Sequence, residues 1–338
     1  MPARDESLDA VKYILIVSVI FGHCLGHSCE YSLNQGVYNF VNIYHMPLFI
    51  FLSGYFSKKY NLKIKEERNH FFVSQLKLLE TFIVFNCVHQ LLVIHSINVF
   101  LMFKSPSWSL WYLLSLFLWR TIVQLLPNKI ACSTGMIPVF FLFGLAVGLV
   151  PIDGFMSFQR TCAYLGFFMS GFILSKKNFV SMIRSVPRCV PAMVLGLVLF
   201  CCLFFFAFDM HKIIWGYYSY SQSGLDWAEA LVFRLCYYAT AILLGLSILS
   251  LVREKVRVLS SYGKKTLFFY VYHTLLLYGV FTLVRKLELP MELPFVILYT
   301  LVVVALLHIG TRIKLLSFVI NPVSGIVQKV VVKKSNRN

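Results

Sequence analysis

Apolar runs close to the length of a membrane-crossing helix recur along the whole chain. A helix that crosses the bilayer core needs about 20 mostly apolar residues. Hydrophobic residues make up 59% of the 338 residues and charged residues only 13%, more apolar surface than a soluble fold can bury. We therefore predict an all-α integral membrane protein with about ten transmembrane helices in one bundle. The predicted spans are 10–26, 37–56, 76–97, 108–126, 136–150, 161–174, 190–208, 229–252, 266–284 and 293–310.

The positive charges predict the orientation of these spans. The formal net charge is +17, and the cations cluster in short segments between the apolar runs. With the N-terminus in the cytoplasm, the clusters at 58–68, 176–188, 253–265 and 312–337 fall on the inner side. The positive-inside rule then places both termini in the cytoplasm. We expect a polytopic membrane domain over 1–312, an interfacial segment and basic cytoplasmic tail over 313–338, membrane lipids as partners and no nucleic acid.

Two ionisable residues in the first span give the strongest functional signal. Lys12 and His23 are 11 residues apart, close to three helical turns, so both lie on one helix face about 16 Å apart along the axis. His27 follows one turn later on the same face. An ionisable residue inside a span is a functional hypothesis by default. The alternative is that Lys12 reaches the lipid headgroups and His23 only bonds a neighbouring helix.

Other polar or aromatic residues inside the spans are further candidates. His45 precedes Pro47, which removes a backbone donor and is expected to kink the second span. His273 lies on the ninth span, and the three histidines on three spans are expected to line one cavity. The remaining candidates are Trp111, whose alternative is an interfacial aromatic belt, Arg160 at the outer mouth of the sixth span, whose alternative is a headgroup contact, and Tyr270.

A metal or haem site is the competing interpretation of the histidines. His23 and His27 have the i and i+4 spacing that can bind zinc. No acidic residue follows His23 as in a metalloprotease helix, and no dense ligand cluster accompanies the pair. We therefore expect no metal, and we keep a bis-histidine cytochrome as an alternative.

Several short motifs, taken in order, resemble the membrane acyltransferase type 3 family, and within it the branch resembling fucose 4-O-acetylases. They are Leu8-Asp9 with Lys12 and His23; His45-Met46-Pro47-Leu48-Phe49 with Ser53-Gly54-Tyr55; Leu110-Trp111-Tyr112-Leu113; Arg160 with Phe167-Phe168 and Gly171; and Gly263, Thr266-Leu267, Tyr270 and His273. Two departures stand out. Lys77 replaces an arginine of the third-span motif, which also lacks its proline here, and Thr266 replaces a serine.

The resemblance implies ten helices and transfer of an acyl group, usually acetyl, from cytoplasmic acyl-CoA. The implied acceptor is a hydroxyl of a surface or secreted glycan or of its lipid-linked precursor, and the implied location is a bacterial cytoplasmic (inner) membrane. Lys12 and the 58–68 cluster are expected to meet the phosphates of the donor, acetyl-CoA or another acyl-CoA. His23 is the expected general base, because imidazole titrates near neutral pH. His45, Trp111, Arg160, Tyr270 and His273 are candidates for substrate or oxyanion contacts. A transporter or flippase with histidines lining its pathway remains the alternative.

Overall fold

The elements that the structure describes are all helical, as predicted. The computed structural model describes residues 5–93, 95–106, 108–152, 155–177, 179–207, 209–254 and 256–320. The first half holds α1 (Glu6–Leu25), α2 (Ser32–Tyr55), α3 (Lys65–Val93), α4 (Val99–Lys104), α5 (Trp111–Leu125), α6 (Asn128–Ala131), α7 (Ile137–Ala146), α8 (Phe158–Ala163) and α9 (Leu165–Leu174). The second half holds α10 (Phe179–Arg184), α11 (Cys189–Phe204), α12 (His211–Ile214), α13 (Trp227–Leu251), α14 (Arg257–Gly263), α15 (Thr266–Lys286), α16 (Leu293–Gly310) and α17 (Lys314–Ile320). Short 3₁₀ turns lie at Trp108–Leu110, Thr134–Met136, Val147–Leu149, Phe155–Ser157 and Tyr220–Gln222.

Helix α1 lies at the centre of the bundle. Asp5 caps it by accepting a hydrogen bond from the Ser7 backbone N–H at 3.0 Å, which satisfies a donor that the helix start leaves unpaired. Its neighbours are α2, α14, α15 and α16. In the most apolar stretch of α1, 67% of the residues are buried, against 28% in α16. The candidate residues on α1 are therefore surrounded by other helices rather than by lipid.

Glycines bring the backbones of α2 and α9 into direct contact. A Cβ atom on Gly54 would collide with the carbonyl of Phe168, and one on Gly171 would collide with the carbonyl of Phe51. Small residues at such crossings allow close helix packing within a membrane. Gly263 plays the same part where α14 crosses α1 at Asp9. These contacts fix the helices that carry the candidate residues relative to one another.

Several helices have the length and apolarity of membrane spans. Within the described residues five helices meet both criteria, namely α1, α3, α13, α15 and α16. Shorter apolar helices occupy Thr134–Leu149, Leu165–Leu174 and Cys189–Phe204. The prediction of ten spans with both termini in the cytoplasm stays a prediction. Within the predicted segment 313–338, α17 is described, and residues 321–338 lie outside the described residues.

Some helix bounds differ from the predicted ones. Helix α3 begins at Lys65, well before the predicted residue 76, because Glu66 and Glu67 in its first turn favour a helix start despite their charge. Helix α2 continues through Pro47. The predicted sixth span is divided between α8 and α9 at Tyr164.

Candidate functional site

Two cavities lie at opposite ends of α1. The cavity at its N-terminal end, which we call the inner cavity after the predicted orientation, has a volume of about 1100 Å³ and is lined on α1 by Leu8 and Lys12. The cavity at its C-terminal end, which we call the outer cavity, has a volume of about 340 Å³ and is lined on α1 by Val19 and His23. Tyr270 of α15 lines both cavities. Lys12 and His23 therefore share a helix face, as predicted from their spacing, but open into different cavities.

His23 lies in the outer cavity between two other aromatic side chains. Its ring is nearly parallel to that of Trp108, with centroids 6.1 Å apart and an interplanar angle of 16°. Its centroid is 5.3 Å from that of His273. Gly22 and Gly26, on either side of His23 along the helix, also line the cavity. The imidazole is thus accessible from the cavity while rings hold it in place.

His45 and His273 are fixed by their own helices. His45 Nδ1 lies 2.8 Å from the carbonyl oxygen of Val41, and His273 Nδ1 lies 2.6 Å from that of Tyr270. Each Nδ1 therefore carries the hydrogen as donor, so that Nε2 of the neutral ring is an acceptor. His45 lines the outer cavity. His273 is fully buried beside His23, and its Nε2 has no hydrogen-bond partner among the described residues.

Arg160 lies within a cage of aromatic rings in the outer cavity. Its guanidinium carbon is 4.8 Å from the ring centroid of Tyr217, 5.1 Å from that of Trp111 and 5.8 Å from that of Trp215. Such positions allow cation–π attraction. No hydrogen bond or ion pair links the Arg160 side chain to another residue in the described part of the chain. The described lining of this cavity contains no Asp or Glu.

The loop between α12 and α13 carries part of this cage. Arg234 of α13, only 2% exposed, donates from Nη2 to the carbonyl of Tyr218 at 2.9 Å. The Tyr220 hydroxyl donates to the carbonyl of Leu145 at 2.8 Å. These bonds anchor the loop that presents Trp215 and Tyr217 to Arg160. Arg234 lies within the eighth predicted span, but neither it nor the loop carries a sequence motif that marks this role.

Trp108, at the start of the fourth predicted span, is a cavity residue that is not among the candidates selected from the sequence. Its backbone φ is +44°, a left-handed conformation that costs a non-glycine residue about 1–3 kcal/mol and often marks a functional position. Its ring lies 6.0–6.1 Å from those of His23, His27 and His89. The candidate Trp111, three residues further along the chain, is buried in the bundle rather than placed in an aromatic belt. Trp108 therefore forms part of the wall around His23.

His27 also reaches the outer cavity, where Arg285 and Phe281 cover it. Its Nδ1 lies 3.2 Å from Nη2 of Arg285, and its ring centroid lies 4.2 Å from that of Phe281.

Among the residues that the structure describes, no group of three or more His, Cys, Asp or Glu side chains could hold a metal ion.

Cations line the inner cavity. In its described lining they are Lys12, Lys58, Lys59, Arg120 and Lys176. Lys12 Nζ is 2.5 Å from the fully buried carboxylate of Asp9, so its charge is already balanced. Arg120 makes no hydrogen bond or ion pair with any other described residue. Arg120 lies near the end of the fourth predicted span and is not among the candidate ligand-binding residues selected from the sequence.

Asp5 holds the N-terminal end of α1 at the rim of the inner cavity. Its carboxylate oxygen lies 3.1 Å from Nη1 of Arg184. Burial acts to raise the pKa of Asp5, but the Ser7 hydroxyl and the Arg184 charge outweigh burial, so the pKa lies below its usual value. Asp5 therefore stays ionised as the counter-ion of Arg184.

Hydrogen-bonded tyrosines separate the two cavities. The Tyr270 hydroxyl donates to the carbonyl of Ser109, and the Tyr112 hydroxyl is 2.5 Å from Ser53 Oγ. The rings of Tyr112 and Tyr270 meet at an angle of 64°, with centroids 5.2 Å apart. This wall brings a cation-lined cavity and a histidine-containing cavity within one tyrosine side chain of each other.

Comparison with known proteins identifies the family. The sequence model of the acyltransferase domain of the type 3 family matches residues 5–309. The chain belongs to this acyltransferase family. No curated protein and no solved structure matches it. With its long apolar helices it is a membrane acyltransferase, and this enzyme class takes the place of the transporter and cytochrome alternatives.

The matched region of the acyltransferase contains both cavities. His23, His45, Trp111, Arg160 and Tyr270 line the outer cavity together. His273 lies behind His23 rather than in the lining. Lys12 lies in the inner cavity, which Tyr270 also reaches. The residues selected from the sequence thus lie around one wall, on its two sides.

Proposed function

We propose that this membrane acyltransferase moves an acetyl group from acetyl-CoA, or another acyl group from its acyl-CoA, to a hydroxyl of a surface or secreted glycan or of its lipid-linked precursor. The donor occupies the inner cavity and the acceptor the outer one. The observation that carries this proposal is the wall at Tyr270, where the cation-lined and histidine-containing cavities adjoin. The motifs shared with fucose 4-O-acetylases support a sugar hydroxyl as the acceptor.

The inner cavity suits a donor with several phosphate groups. Its described lining holds five Lys and Arg side chains, and its volume exceeds that of an ordinary small-molecule pocket. Arg120 offers a guanidinium without a partner among the described residues, and its fork of N–H donors matches phosphate oxygens. Lys12 adds a cation at the same end of α1. The pantetheine arm then follows the face of α1 toward Tyr270 and His23, about 16 Å further along.

His23 acts as the general base in the proposed reaction. A neutral imidazole takes the proton from the acceptor hydroxyl as its oxygen attacks the thioester carbonyl carbon. The resulting oxyanion collapses, the carbon–sulfur bond breaks, and the proton on His23 passes to the departing thiolate. The products are the O-acyl sugar and free CoA. His273 is proposed as a positioning residue, because its ring centroid lies 5.3 Å from that of His23 and its Nε2 has no hydrogen-bond partner among the described residues.

The hydrogen bonds of the other candidates divide the remaining roles. His45 presents an acceptor nitrogen, so it suits a contact with a sugar hydroxyl. The Tyr270 hydroxyl lies at the wall and donates its one proton to the Ser109 carbonyl; we assign it to the oxyanion that develops on the thioester carbonyl, toward which the O–H turns from Ser109 during the reaction. Trp111 supports the guanidinium of Arg160 through its ring face.

The proposal also includes ten spans, both termini in the cytoplasm and a bacterial inner membrane as the location. This topology follows the positive clusters and puts the inner cavity on the side that contains acyl-CoA. Reporter fusions after Lys59 and after Asn338 are expected to give a cytoplasmic signal. An external signal from either fusion contradicts the topology.

Labelled acetyl-CoA and purified protein test the reaction directly. The wild-type protein is expected to release CoA and to transfer the label to glycan isolated from a strain that lacks the enzyme. Glycan mass analysis of that strain beside its parent identifies the missing acetyl group. Acetyl-CoA that stays intact in the presence of this glycan contradicts the proposal.

A further inference from the structure

We propose that the acceptor carries an anionic group, a carboxylate or a phosphate, and that Arg160 binds this group. The inference rests on the proposed function and specifies its substrate class. The observation behind the inference is the charge of the outer cavity. Within the described lining, Arg160 is the one Lys or Arg side chain, and there is no Asp or Glu. A cation removed from water without a counter-ion is costly, and a bound anion removes that cost.

The contacts of Arg160 leave its hydrogen-bonding capacity unused. The rings of Trp111, Trp215 and Tyr217 face the guanidinium and attract its charge, but ring faces do not replace oxygen acceptors in the plane of the guanidinium. Nε has no hydrogen-bond partner among the described residues. The guanidinium offers a planar fork of N–H donors, a geometry that matches carboxylate and phosphate oxygens. The cage thus holds the cation in place and leaves its donors for a ligand.

Arg234 shows how this chain treats an arginine with a structural role. Arg234 is 2% exposed, lies outside the outer cavity lining and donates from Nη2 to a backbone carbonyl, that of Tyr218, while its Nε and Nη1 lack partners among the described residues, as Arg160 Nε does. Arg160, in contrast, is partly exposed in the cavity and bonds no backbone carbonyl of a described residue. Both arginines lie beside the same loop, but only Arg160 lines the cavity that a ligand can enter, and we therefore assign the ligand to Arg160.

The position of Arg160 defines what the ligand must look like. Arg160 and His23 line the same cavity of about 340 Å³, a volume near the lower end for small-molecule pockets. A single sugar residue that places one hydroxyl at His23 therefore places its acidic group at Arg160. A uronic acid or a sugar phosphate has this combination on one ring.

Matched pairs of acceptors test the inference on the purified full-length protein. One pair is methyl glucuronide and methyl glucoside, and the other is methyl galactoside 6-phosphate and methyl galactoside. Transfer of label from acetyl-CoA is measured for the wild type and for Arg160→Gln, Arg160→Lys and Lys212→Gln. Lys212→Gln removes an exposed cation of α12 and serves as the matched control. Binding is followed separately through the fluorescence of the cavity tryptophans.

The wild type is expected to prefer the anionic member of one pair by about 10–100-fold, the range for a hydrogen bond to a charged group. The preferred pair tells whether the group is a carboxylate or a phosphate. Arg160→Gln is expected to lose the preference, because its transfer to the anionic member falls much further than its transfer to the neutral member. Arg160→Lys keeps part of the preference, because the charge remains without the fork, and Lys212→Gln behaves as the wild type.

Two results overturn the inference. One is a wild type that binds and acetylates both members of each pair equally. The other is an Arg160→Gln protein, monodisperse after purification, whose transfer to charged and neutral acceptors falls by the same factor. Anion-selective fluorescence without any acetyl transfer contradicts the proposed reaction instead and leaves the anion site supported.

Discussion

The two cavities of this acyltransferase differ in size, charge and order. The inner cavity, about 1100 Å³ in volume, is lined by several cations, most of them with local partners. The described lining of the outer cavity, about 340 Å³ in volume, holds one arginine, three histidines and three tryptophans. Many exposed cations bind a polyanion through contacts that salt screens. A few enclosed groups act on reacting atoms with little screening. Substitutions should therefore affect the rate on the outer side and donor affinity on the inner side.

The largest effect is expected at His23. His23→Ala removes the proposed general base, whose loss typically costs about 10²–10⁴-fold in rate. The measurement is kcat for acetyl transfer, with acetyl-CoA binding determined alongside it and expected to be unchanged.

His308→Ala is the matched control for this variant. His308 Nδ1 bonds the carbonyl of Val304 on its own helix at 2.7 Å, and its Nε2 lies 3.0 Å from the Tyr13 hydroxyl, outside the lining of both cavities. Near-normal transfer by a folded His23→Ala protein would make His45 or His273 the next candidate.

Tyr270→Phe should have the next largest effect, because it removes the hydroxyl at the wall between the cavities. Loss of an oxyanion donor costs about 10²–10³-fold in kcat, with little change in donor affinity. Tyr272→Phe is the control on the same helix, since its hydroxyl donates to the carbonyl of Leu316 instead. Equal losses in the two variants would indicate a packing effect.

Arg120→Gln should separate the inner cavity from the outer one. It is expected to raise KM for acetyl-CoA by about 10-fold, the lower end for a charge-assisted hydrogen bond, and to leave kcat nearly unchanged. Lys12→Ala should raise KM by only about 2–5-fold, because the Asp9 carboxylate already pairs with Lys12. Lys12→Arg should retain most activity. A normal acyl-CoA affinity in Lys12→Ala would contradict the proposed role of Lys12 in donor binding. For Arg120→Gln, high salt should reduce the difference in KM from the wild type.

The smallest effect is expected at His27. His27→Ala should change transfer by less than about 3-fold, as for a substitution outside the reacting centre, because Arg285 and Phe281 already engage this ring. A loss comparable with that of His23→Ala would show that His27 takes part in the reaction, and His23 and His27 would then no longer differ in function.

The sequence predicts the helices and one helix face, because both depend on local regularities. Apolar length locates α15 and α16 almost to the residue, and helical periodicity places Lys12 and His23 together. The Asp9–Lys12 pair could also have been found, since residues three apart on a helix are neighbours.

Other parts of the site depend on contacts between elements distant in sequence. Arg120 reaches the inner cavity, and Trp215 and Tyr217 surround Arg160, only after the bundle has formed. The left-handed backbone at Trp108 follows no local rule either, because tryptophan has no preference for that conformation. Periodicity and motif spacing carry no information about these arrangements.

The tyrosine wall also bears on the permeability of the membrane. Two water-accessible cavities that meet inside a bilayer would form a continuous path, and protons and small ions would leak along it. The hydrogen bonds of Tyr270 to Ser109 and of Tyr112 to Ser53 close that path with side chains rather than with lipid. Under the proposed topology, an enzyme with this wall passes an acyl group from one compartment to the other as a covalent transfer, without opening an aqueous pore that would dissipate the ion gradients of the cell.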